Sequence, residues 1–98
     1  MTEETKSAID ILSDHIVKMN IYGEVARVYW INNNNDLVYR SVMRPPDYYE
    51  TTEDLIENNV KAYIGFQYIK DSWQAVEHYA WHHIEEAILA GSVPYQVK

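Results

Sequence analysis

The chain has 98 residues, 47% of them apolar and 13% aromatic, with fifteen acids against eight bases, a formal net charge of −7 and no cysteine. The apolar content is too high for a disordered chain and suits one domain over residues 1–98. The lack of cysteine excludes disulfides, thiolate metal sites and a cysteine nucleophile, and the negative charge argues against direct binding to nucleic-acid phosphates. No segment is apolar enough to span a membrane. Glu3, Glu4, Asp10 and Asp14 stand where a secretion signal needs a basic start and an apolar run, so the expected location is the cytoplasm.

From Glu4 to Met19 the residues Ala8, Ile9, Leu12, Ile16 and Met19 recur at three- and four-residue steps, which predicts a helix. Its early acids and its late Lys18 suit the helix dipole. Asn20 and Gly23 end it. Glu24 to Ile31 and Leu37 to Met43 are β-rich runs around Asn32, Asn33, Asn34 and Asn35, which predicts a hairpin. A two-residue turn and a four-residue loop both set Trp30 opposite Leu37. The register then pairs Val28 with Tyr39 and Ala26 with Ser41 on one face, and Tyr29 with Val38 and Arg27 with Arg40 on the other. Two guanidiniums would face each other, and Arg27, Tyr29 and Arg40 would form a patch on the sheet face left uncovered by helices.

Pro45 and Pro46 cannot continue a central strand, and Thr51, Thr52, Glu53 and Asp54 resemble a helix start, so a short helix is expected from there to about Asn59. Val60, Ala62, Ile64, Phe66 and Tyr68 alternate as a third strand would, although Tyr63 and Ile69 also fit a continuing helix. Asp71 as an N-cap with Gln74 three residues on, Gly91 as a stop and Pro94 beyond predict a long last helix. Its stripe of Trp73, Val76, Ala80, Ile84, Ala87 and Ile88 would cover the sheet. Residues 92–98 read as a flexible tail. The expected architecture is α+β: a small antiparallel three-stranded sheet with the two longer helices on one face, in the order α, β, β, short α, β, α.

Catalytic patterns are missing. No glycine-flanked serine elbow exists, and Gly23, Gly65 and Gly91 are too scattered to cradle a phosphate. His78 and His82, one turn apart on the expected last helix, with Glu85 or Glu86 a further turn along, have a metal-like spacing. They lack the general-base glutamate of the His-Glu-x-x-His zinc motif. The expectation is therefore no metal, no cofactor and no enzyme. A metal-binding protein or small enzyme using His78, His82 and Glu85 is the alternative, and a homodimer through an exposed strand edge or sheet face is a third reading.

Binding is the stronger theme. Between Pro45 and Val60 stand Asp47, Glu50, Glu53, Asp54 and Glu57 with no base among them, and Tyr48 and Tyr49 lie within that run. Nine tyrosines and three tryptophans exceed what one small core requires, and aromatics with a polar tip dominate binding hot spots. These residues, together with Arg27, Tyr29 and Arg40, are the expected contacts to a larger protein with a basic surface. In size, acidity, tyrosine content and lack of cysteine the chain is similar to phage-encoded inhibitors such as anti-CRISPR proteins, and to toxin-immunity proteins. That likeness is one of physique, carries no residue over, and implies an inhibitor or decoy of a basic, nucleic-acid-handling partner.

Overall fold

A computed structural model of the chain describes residues 7–97. Helix α1 (Ala8–Lys18) is capped by Ser7, whose hydroxyl accepts from the Asp10 amide at 3.1 Å, and it buries Ala8, Leu12 and Ile16. The expected helix start at Glu4 lies outside the described residues. Strands β1 (Ala26–Ile31) and β2 (Leu37–Val42) form the expected hairpin, and all six residues of β1 are buried.

The register differs from the expected one by a single residue. Tyr29 pairs with Tyr39, Val28 with Arg40 and Arg27 with Ser41. The reason is an odd turn. Asn32 and Asp36 close the ladder, Asn35 sits in the left-handed region at φ 70°, and the Asn32 side chain accepts from the Asn34 and Asp36 amides. Three residues therefore bridge the strands, where an even number was expected. Because side chains alternate, the slip moves Arg27 and Arg40 to opposite faces and removes their mutual repulsion.

Helix α2 (Pro45–Glu57) begins six residues earlier than its expected start at Thr51, with Pro45 and Pro46 in its first turn. Proline's fixed φ suits that position, where an amide would have no helical partner. Strand β3 (Tyr63–Ile69) is where the alternation put it. The long last helix is not. Its first half is strand β4 (Ser72–Tyr79), joined to β3 through Lys70 and Asp71, both at positive φ, so Asp71 is a turn residue and not an N-cap. Helix α3 is confined to Trp81–Leu89 and stops at Gly91, which adopts φ 98°. Residues Tyr95–Gln96, within the segment read as a tail, form β5 parallel to β2.

Among the described residues the sheet is thus mixed and five-stranded, in the order β4-β3-β1-β2-β5. It is not the expected three-stranded antiparallel one, because β4 replaces half of the expected last helix and β5 adds a parallel edge. Helices α1 and α3 share one face, over Tyr29, Ile31, Leu37, Tyr39, Ile64 and Phe66, but the two longer helices, α1 and α2, lie on opposite faces and not together as expected. The other face carries Ala26, Val28, Trp30, Val38, Val42 and Tyr63, and α2 closes it with Tyr48 and Leu55. No helix among the described residues is long and apolar enough to cross a membrane.

Tyr48 fits this second core because Gly65 lacks a side chain. A Cβ at Gly65 would collide with the Tyr48 hydroxyl and lie 2.9 Å from two of its ring carbons. Gly65→Ala should therefore destabilise the protein by about 1–3 kcal/mol through overpacking, measured as a lower midpoint of urea denaturation. An unchanged midpoint would refute the packing of Tyr48 over Gly65.

Candidate functional site

Helix α2 carries the acidic run, and its periodicity sorts the side chains. At 100° per residue, Tyr48, Thr51, Thr52 and Leu55 fall on one side. All four are buried. The buried hydroxyls of Thr51 and Thr52 donate back to the carbonyls of Asp47 and Tyr48 at 2.8 and 3.1 Å, so neither is stranded in the core. Glu53, Glu57, Glu50, Asp54 and Asp47 spread over an arc of about 120° on the outer side. Tyr49 and Ile56, seven residues apart, lie within about 20° of each other between the two arcs. They are 63% and 56% exposed.

The structure separates the expected contact residues into three groups. Asp47, Glu50, Glu53, Asp54, Glu57 and Tyr49 share the α2 surface. Asp47 forms a two-pronged pair with Arg44, both contacts at 3.1 Å, exposed enough to contribute little stability. Asp54 accepts from the Asn58 side chain at 3.0 Å. Glu50, Glu53 and Glu57 make no ion pair among the described residues. Arg40 joins this neighbourhood, bordering a concavity of about 350 Å³ with Asp47, Glu50 and Asp54, and its guanidinium lies 5.6 Å from the centre of the Trp30 ring.

Tyr48 belongs to the second group, because it is a core residue. Its hydroxyl donates to Glu77 Oε1 at 3.4 Å while Tyr63 donates to Glu77 Oε2 at 3.0 Å, so one carboxylate on β4 gathers two phenols. Burial and the Glu77 charge push the Tyr63 hydroxyl up to about 12, and the same two causes raise Tyr48.

Arg27 and Tyr29 form the third group and are wholly buried, so they cannot make the expected surface patch. The one-residue shift in register points Arg27 at α1. There its guanidinium grips Glu24 at 2.7 and 3.0 Å and donates to the Met19 carbonyl and the Tyr29 hydroxyl. It also lies 4.3 Å from the Tyr39 ring centre. His15 Nδ1 sits 2.9 Å from the Tyr29 hydroxyl and 3.3 Å from the guanidinium. A guanidinium only donates, so its contact with Nδ1 is a hydrogen bond when Nδ1 accepts, the tautomer that carries the imidazole proton on Nε2. Burial, then the Arg27 charge, hold this imidazole below the ordinary histidine value, against a smaller opposing pull from Glu24.

The histidine alternative loses its geometry, since His78 lies on β4 and His82 on α3. The His82 and His83 rings lie with centres 4.1 Å apart and planes inclined by 40°. No group of three or more histidine, aspartate or glutamate side chains that could hold a metal ion exists among the described residues.

One feature of the α2 side was missed by sequence reasoning. Ile56, Asn59 and Val60 line a groove of about 400 Å³ with Tyr63 and Tyr79. The spacing of Tyr49 and Ile56 on the helix was a usable signal. Tyr79 gave none, because its segment reads as helix.

The neutral His15 makes stability depend on pH with a definite sign. Its folded value lies below the unfolded value of about 6.5, so the unfolded chain takes up the proton first as pH falls. The stabilisation is complete above about pH 6.5 and is lost as pH drops through that value towards the folded one. Between about pH 7 and pH 5 the melting temperature should fall more in the parent than in His15→Gln, and equal slopes would refute this. No family model, curated protein or solved structure matches the chain.

Proposed function

We propose that the chain is a small acidic protein-binding module that acts as an inhibitor or decoy of a larger protein with a basic surface. The observation that supports this most is the outer face of α2, where five carboxylates lie beside two exposed apolar side chains, Tyr49 and Ile56. None of this surface is used to close the core, which α2 meets through Tyr48, Thr51, Thr52 and Leu55. A nucleic-acid-handling partner suits such a face, because carboxylates can occupy a basic groove that otherwise receives phosphates. Phage-encoded anti-defence inhibitors, anti-CRISPR proteins among them, and immunity proteins are the kind of molecule this proposal describes.

Charged and aromatic residues on one face should fail differently when changed. A charged rim speeds encounter, whereas a buried aromatic anchor slows departure. With the partner captured from the native host and identified by mass spectrometry, Asp47→Asn, Glu50→Gln and Glu53→Gln together should slow association and flatten its salt dependence. Tyr49→Ala should speed dissociation about tenfold. Surface-based kinetics at two salt concentrations measure both, with folding checked by circular dichroism. Parent-like kinetics in both variants would refute the assignment of this face.

A further inference from the structure

Helix α2 covers only part of its side of the sheet. It lies over β1 and β2, and from it the Tyr48 ring reaches across Gly65 towards Glu77. Beyond that ring, the β3–β4 half of the same face is floored by Tyr63 and Tyr79. These are cross-strand partners whose rings stack with centres 6.1 Å apart and planes inclined by 27°. Ile56, Asn59 and Val60 wall the groove on the α2 side. Its mouth is apolar: Tyr79 is 58% exposed and Ile56 56%. Tyr49 extends the apolar line about 10 Å along the helix, two turns from Ile56.

We propose that this groove receives an amphipathic helix from the partner protein, with its apolar stripe over Tyr79 and Ile56 and an adjoining basic flank against Glu53, Glu57 and Glu50. The inference rests on the reading of the α2 face as the binding surface and names the partner's chemistry. Two turns between Tyr49 and Ile56 match the spacing at which a helix presents its own anchors to a groove. Charge then selects the occupant. Helical periodicity puts Glu53 and Glu57 within about 100° of Ile56, so whatever fills the groove passes beside those carboxylates. Lysine or arginine on that flank gains from them. A second copy of this chain, with its net charge of −7, brings further acids instead.

The test is a selection of helix-forming peptides from a randomised displayed library against the full chain, followed by fluorescence anisotropy of the enriched peptides. The expected sequences place leucine or aromatic residues at i, i+3 or i+4, and i+7, with lysine or arginine gathered on one adjoining flank. Their affinity should fall about tenfold or more in the chain carrying Ile56→Asp and Tyr79→Ala. It should also become less salt-sensitive with Glu53→Gln and Glu57→Gln. Both variants change exposed side chains, and circular dichroism verifies their folding. Peptides that weaken with the glutamine variant but bind the groove variant like the parent overturn the groove and leave the acidic face standing. Peptides with no basic excess, indifferent to both variants, overturn both readings. A dimer of the full chain in sedimentation that Tyr79→Ala dissociates makes a second copy the occupant and overturns the proposal.

Discussion

The structure depends on β1 being closed to water on both faces. A strand in which all six residues are buried needs apolar cover above and below the sheet. Tyr29 and Ile31 receive it from α1 and α3, and Ala26, Val28 and Trp30 from the side that α2 occupies. The second requirement gives the acidic run its form. A segment with five carboxylates can shield that side only as a helix that turns Tyr48 and Leu55 inward and keeps its acids in water. The charged surface is therefore a by-product of covering the strand, held rigidly by the same contacts.

Legibility followed the strength of local signals. Helix α1, the hairpin strands, β3 and the stop at Gly91 rest on periodicity or turn chemistry contained within a few residues, and they were readable. The hairpin register was not, because four successive asparagines tolerate several turn lengths and only the Asn32 side chain decides among them. Strand β4 was hidden by its own irregularity. Gly65 pairs with Glu77 and Phe66 with Ala75, which leaves Val76 as an extra residue and breaks the two-residue alternation. Trp73, Val76 and Ala80 then imitate a helical stripe. Of the candidate site, the acids and Tyr49 were visible as composition, whereas Tyr79 could not be placed until β4 was known.

The burial of Arg27 shows how far one residue of register reaches. With Glu24 across a short loop, the Met19 carbonyl at the end of α1 and Tyr29 on its own strand, the guanidinium connects three consecutive pieces of chain without contact with solvent. Such a charge is tolerable only because each contact is a directed hydrogen bond, and loss of the Glu24 carboxylate would leave it uncompensated. A residue that composition marks as a surface cation thus serves as the fastening between α1 and the sheet.

The extra residue at Val76 also bears on how the sheet ends. Strand β4 is an edge eight residues long, with neither proline nor lysine to discourage a neighbour. A flat edge of that length offers its unpaired amides and carbonyls as a template for further strands. The bulge interrupts their spacing midway and increases the local twist. An incoming strand can match the amides on one side of Val76 or on the other, but not both in a single register. A small irregularity of pairing thus sets a boundary on growth, where charge or a covering loop would otherwise be needed.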